Sequence, residues 1–312
     1  MVKNRMTQEI FTGLEEKGYR GRIVSVRHID DLRADIEKRY RQSLFDLEFY
    51  QERISVFKYD PYEVLPDVNS VIVVAVPQPQ IRVTFNWHEK MVPLIVPPTY
   101  LHGEEINKTV EDLLAGILAP IGYTVAYARA LPLKLLAGHS GLAKYGKNNI
   151  CYVSGMGSFH RLSAFYSSLP CEGDSWQGLQ MMGRCEKCSA CLLNCPAGAI
   201  TSERFLLRAE RCLAFLNEKP GRIPFPDWVD TSWHNCLVGC LHCQKACPEN
   251  KDFLPWIDQG AEFSEEETAM FLKGTPLDQL PAPTVEKLRK NDMIDLFDIL
   301  PRNLGVFLKS VH

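Results

Sequence analysis

The feature that most restricts this chain is a set of cysteines at fixed spacing. Cys185, Cys188, Cys191 and Cys195 form C-x2-C-x2-C-x3-C with Pro196 directly after, and Cys240, Cys243 and Cys247-Pro248 repeat the tail of that pattern. Three thiolates so closely spaced grip one cuboidal four-iron, four-sulfur cluster, while a fourth beside proline points away to a neighbouring cluster. The repeated Cys-Pro element predicts two clusters related by a pseudo-twofold. Two cubanes need eight thiolates and these motifs supply seven, so Cys212 or Cys236 supplies the eighth. Structural zinc is the competing reading, because four-cysteine zinc sites also use C-x2-C pairs. The triple C-x2-C-x2-C with proline after the fourth cysteine is not a zinc-ribbon spacing.

Crossing the ligands in the manner of bacterial ferredoxins gives Cys185, Cys188, Cys191 and Cys247 to one cluster. Cys195, Cys240, Cys243 and one further cysteine go to the other. All eleven cysteines fall between Cys151 and Cys247 and most follow ligand spacing, which argues for metal ligation over disulfide stapling. Cys151 and Cys171 stand outside the motifs and read as packing residues.

The 312 residues are 46% hydrophobic, enough for a sizeable core and about two domains. A formal charge of -3 gives no global attraction to nucleic acid or to an anionic membrane. No apolar run approaches the length of a bilayer span, and the first residues lack the apolar stretch of a secretory signal. The expectation is a soluble, cytoplasmic protein without a membrane or nucleic-acid partner.

Along the chain, Thr7 is expected to cap a helix that buries Ile10, Phe11 and Leu14 and stops at Gly18. Residues 21–26 read as a strand, 29–42 as a charged amphipathic helix, and the β-branched run 70–76 as a strand covered on both faces. Residues 103–118 carry one apolar helical face, and strands are expected at 123–127, 149–153 and 161–166. The alternation predicts an α/β cofactor and substrate domain over 1–170. Periodicity fades where Cys, Gly and Pro rise, which marks a double-cluster, ferredoxin-like domain over 171–255. A C-terminal helical segment follows over 256–312, opened by a capping box at Ser264-Glu265-Glu266-Glu267.

The order of motifs resembles the epoxyqueuosine reductase family. The likeness rests on Arg211-Cys212-Leu213-Ala214-Phe215-Leu216 with Gly221-Arg222-Ile223-Pro224 between the cysteine clusters, and on the segment Ser140-Gly141-Leu142-Ala143-Lys144-Tyr145-Gly146-Lys147-Asn148-Asn149. Tyr100-Leu101-His102-Gly103 with Lys108, and Lys58-Tyr59-Asp60-Pro61, also fall at family positions. The resemblance implies that Cys212 is the eighth ligand and that the N-terminal part is an α/β sandwich of nitroreductase-like, cobalamin-binding type. It also implies cofactor contacts from Lys58, Tyr100, Tyr127, Gly141, Gly146, Lys147 and Asn148. Reductive dehalogenases share that cofactor layout more distantly.

Where the family carries its proton-donating Asp, this sequence has Tyr127, whose phenol is a candidate acid. The sequence ends at His312, so the helical-repeat extension that helps longer members hold tRNA is not expected. These features favour a cobalamin-dependent iron–sulfur reductase fed by a low-potential donor of flavodoxin or ferredoxin type. Its substrate would be a small molecule or a corrinoid protein. An electron-delivery protein or reductive activator of a corrinoid partner is the alternative, and a tRNA epoxyqueuosine reductase the third reading. His139, His160, His234 and His242 are open as axial ligands or proton carriers, with structural roles the simpler expectation.

Overall fold

The computed structural model describes residues 2–308, with side chains from residue 7 onward. The chain divides into two compact units. The first comprises residues 1–77, 103–189 and 202–207, the second 78–102, 190–201 and 208–312.

The first unit is built on β1 (Arg20–Ser25), β2 (Ser70–Pro77), β5 (Val125–Tyr127) and β8 (His160–Ser167), in the order β1-β2-β8-β5 with every pairing antiparallel. β2 is buried along all but its last residue, because helices lie on both faces of the sheet. Val71, Val73 and Ala75 face one apolar cluster with Ile29, Leu32, Leu136 and Leu142. Ile72, Val74 and Val76 face the other, with Ile10, Leu14, Val110, Leu114 and Phe165. A strand alternates its side chains between faces, so a continuous β-branched run serves both clusters at once. The helix Gly103–Leu118 has the expected bounds. The first helix runs Val2–Glu16, through Thr7, so that residue is not its cap. The helix closes at Gly18, whose φ of +76° suits a residue without Cβ.

The second unit holds the sheet β4-β3-β9, formed by β3 (Gln80–Trp87), β4 (Lys90–Val96) and β9 (Ile257–Phe263). β3 pairs antiparallel with β4 and parallel with β9. Val83, Phe85, Leu94 and Phe263 pack there against Phe271, Leu288, Leu300 and Leu304 of the C-terminal helices. This differs from the expected partition: residues 78–102 join the C-terminal part, and 256–312 contributes a strand before its helices. The Ser264 capping box is present. The remaining strands, β6 (Lys144–Tyr145) and β7 (Cys151–Tyr152), form a short hairpin in the first unit.

Candidate functional site

Between Arg184 and Asn250 the chain forms loops and short helices, with no named strand. Each Cys-Pro tail is preceded by one helical turn, Ala190–Leu193 before Cys195 and His242–Lys245 before Cys247. Those two turns pack against each other in the second unit, the arrangement expected of an internal repeat. None of the eleven cysteines is in a disulfide.

Cys195, Cys212, Cys240 and Cys243 gather in the second unit. Burial pushes the Cys243 thiol well up, and Cys240, Cys212, Cys195 and Cys191 add to that as like-charged neighbours. Burial lifts Cys240 to about 12, with Cys212 and Cys195 acting in the same direction. Backbone N–H groups oppose this: those of Phe215 and Ala214 donate to Cys212, that of His242 to Cys240, and that of Ala199 to the Cys195 sulfur at 3.3 Å. Buried thiolates crowded this way repel one another, and bound iron is the positive charge that relieves them. Among the described residues no three His, Cys, Asp or Glu side chains converge as they would around one metal ion. A cubane carries each thiolate on a separate iron.

Both candidates for the eighth ligand lie in this unit. Cys212 neighbours Cys195, Cys240 and Cys243. For Cys236, burial raises the thiol and Cys240 is the cysteine acting on it. The first motif is divided in sequence between the units, with Cys185 and Cys188 in the first and Cys191 and Cys195 in the second.

In the first unit the Gly141–Asn148 segment is a tightly built turn. Gly141 has a φ of +74°, and a Cβ there would stand 2.4 Å from the Gln177 amide. A Cβ on Gly146 would meet Asn148 Oδ1 and the Tyr152 ring. Asn148 is buried, donates from Nδ2 to the Tyr152 hydroxyl at 2.9 Å and accepts from Ile150 N. Lys147 Nζ donates to the Cys188 carbonyl at 2.8 Å. These side chains, expected on a cofactor, instead shape the turn and tie it to the first cysteine motif. Lys58 is exposed.

Two other residues expected at the cofactor are Tyr100 and Tyr127. Tyr100 belongs to the second unit, where its hydroxyl donates to Glu218. Tyr127 pairs across strands with Phe165 and packs with it on the face carrying Gly103–Leu118, its ring centroid 5.7 Å from that of Phe165. Burial raises its phenol, and the Asn107 side chain is bonded to it. The Gly141 turn packs on the opposite face, with Leu142, Ala143 and Tyr145 in the other cluster. The sheet therefore separates Tyr127 from that turn.

Among the four histidines, His139 bonds to the Gln177 carbonyl and His242 to the Trp233 carbonyl. Burial lowers the pKa of His234 to about 4, and its Nε2 is buried without a hydrogen-bond partner. His160 shares both features: burial lowers its pKa to about 4, and its Nδ1 is buried without a hydrogen-bond partner. Strand alternation puts it on the side of Leu162 and Ala164, the face of the Gly141 turn. The Tyr59 hydroxyl, packed on that same cluster, is also buried without a partner. Sequence reasoning passed over Glu218, which sits in no spaced motif, and gave Tyr59 no role beyond its place in the Lys58-Tyr59-Asp60-Pro61 match.

Residues 184–250 match the family model described as a 4Fe-4S double cluster binding domain, which sets the chain in the class of iron–sulfur proteins. The fuller likeness is to epoxyqueuosine reductases. The enzyme of Bacillus subtilis strain 168 is 32% identical over 118 residues, 38% of this chain and 29% of that protein. That of Pseudomonas aeruginosa is 32% identical over 193 residues, 55% and 52% of the two chains. That of Francisella cf. novicida is 27% identical over 267 residues, 76% and 66%. The matches thus span less than two thirds of each relative. The solved Streptococcus thermophilus enzyme has the same fold, with a TM-score of 0.67 at 19% identity over 98% of this chain and 81% of its own. No helix among the described residues is long and apolar enough to cross a membrane.

Proposed function

We propose that this chain is an iron–sulfur oxidoreductase that passes single electrons from a flavodoxin- or ferredoxin-type donor through two 4Fe-4S clusters to a corrinoid in the first unit. The observation that carries this reading is the gathering of Cys195, Cys212, Cys240 and Cys243, three of them receiving backbone N–H bonds. Cysteine spacing assigns Cys185, Cys188, Cys191 and Cys247 to the other cluster. Each cubane moves one electron at a potential set by charge, burial and hydrogen bonds to sulfur.

The cofactor fits the Gly141 face, where buried polar atoms of Tyr59 and His160 are left open. Bound cobalamin supplies a cobalt centre that accepts electrons singly. The Tyr59 hydroxyl offers a donor to it and neutral His160 a lone pair, while Lys58 supplies positive charge and Gly141 and Gly146 allow close backbone approach. Tyr127 takes no part, because it stands on the other face of the sheet.

Replacing Cys212 by Ser is expected to lose or convert one cluster while Cys236→Ser keeps both, read by iron content and electron paramagnetic resonance. The reverse result would overturn the ligand set. Mixing the reconstituted protein with cobalamin is expected to shift the cobalt spectrum. Absence of binding at high micromolar cobalamin favours the activator of a corrinoid partner.

Epoxyqueuosine in tRNA is the second substrate reading, favoured by the activity for which the relatives are named. One structure of similar fold, with a TM-score of 0.67 at 20% identity, is of the enzyme with an epoxyqueuosine-modified tRNA stem loop. Turnover of such a stem loop by the reconstituted chain decides for it, and no turnover with cofactors loaded decides for a different substrate.

A further inference from the structure

The second unit contains a buried contact for which the cysteine pattern gives no reason. Tyr100 follows β4 and inserts its ring against Gly239, inside the Cys236–Cys240 loop. Gly239 has a φ of +67°, and a Cβ there would stand 2.5 Å from the phenol oxygen and 2.7 Å from its ring carbon, so only glycine admits the ring. The hydroxyl donates to the Glu218 carboxylate, which closes the short helix Leu213–Asn217 that begins at Cys212. The Tyr100 oxygen lies within electrostatic reach of Cys212 and Cys236, and Glu218 within reach of Cys212. The same helix and loop are tied again by Asn217, whose Nδ2 donates to the Gly239 carbonyl at 2.7 Å. Asn303 Nδ2 bridges the carbonyls of Asn217 and Leu237.

The backbone ties already hold the two ligand-bearing segments together. A tyrosine–carboxylate pair adds something they do not: a fixed negative charge beside one cluster, partly neutralised by a hydrogen bond. A negative charge near a cubane disfavours the electron it accepts, and its effect is large where water is excluded. Building on the cluster assignment above, we infer that Glu218, positioned by Tyr100, lowers the reduction potential of the cluster held by Cys195, Cys212, Cys240 and Cys243. The effect is assigned to that cluster alone. This makes the two cubanes electrically unequal, and electrons then have a preferred direction between them. Glu218 and Tyr100 are positioning residues and touch no substrate.

The test is a redox titration of the anaerobically reconstituted full chain, with both clusters followed by electron paramagnetic resonance. Iron and sulfide are counted first: absence of two clusters in the parent protein refutes the cluster reading itself, apart from the inference. Glu218→Gln keeps an acceptor for the phenol and removes the charge. With both clusters present it is expected to raise one midpoint potential and leave the other, and Glu218→Asp is expected to restore it. No shift, or equal shifts in both, overturns the inference. If Glu218→Gln fails to assemble a cluster, Tyr100→Phe decides. Loss of the donor removes both the neutralising hydrogen bond and the hold on the carboxylate, so the same midpoint moves while the other stays; an unchanged midpoint overturns the inference.

Discussion

The first unit and the cysteine segment of the second hold their shape by different means. In the first, one buried strand separates two apolar clusters, and each helix lies against one of them. In the cysteine segment the local apolar cluster has four buried members, Ala197, Leu213, Leu216 and Val229, while Leu237 and Val238 join the larger cluster of the second unit. So small a cluster offsets little of the conformational entropy of the chain it must order. Ligation of thiolates by iron would add order there, whereas the sheet is held between two apolar clusters. A redox protein gains from this division, since the clusters sit where the chain is organised around them.

The comparison breaks most decisively on iron removal. Chelation is expected to erase amide-exchange protection over residues 190–201 and 208–250 while that of β2 and β8 persists. Equal loss in both regions would mean that the sheet also depends on the clusters. Next in size is Phe165→Ala, which empties a fully buried site between the sheet and the helix Gly103–Leu118. It is expected to destabilise the first unit by about 3–5 kcal/mol in denaturant unfolding, with iron content per folded chain unchanged.

Acid sharpens the contrast further. His160 titrates at about 4 in the folded protein because burial disfavours its charged form, against 6.5 as its ordinary value. Between those values the unfolded chain binds the proton and the folded one does not, so stability falls as pH falls through that window. The contribution of His160 to the slope is on the order of 1 kcal/mol per pH unit and is expected to be lost in His160→Phe, while that of His234, also lowered to about 4, remains, as read from urea midpoints between pH 6.5 and 4.5. The smallest effect belongs to the C-terminal helices: Ser264→Ala removes the cap of Glu265–Leu272 and is expected to cost about 1 kcal/mol, without changing either cluster.

The legibility of the sequence followed the same division. Strong local signals were enough for β2, for the helix Gly103–Leu118 and for the Ser264 cap, because each states its structure within a few residues. The β3–β4 hairpin escaped because its two-residue turn is His88-Glu89, both at positive φ, where Asn-Gly is the usual signal. β9 escaped because its parallel partner β3 lies far back in the chain and half its residues are polar. At the candidate site, cysteine spacing carries the proposed ligand set because cluster chemistry dictates such spacing. Nothing local revealed that Tyr100 meets Glu218, or that Tyr127 and the Gly141 turn lie on opposite faces. Both follow from long-range packing.

Cofactor content after anaerobic reconstitution tests the central claim most directly. The account predicts about eight irons and eight inorganic sulfides per chain, because two cubanes need eight cysteine ligands. Stoichiometric zinc with no sulfide would contradict it.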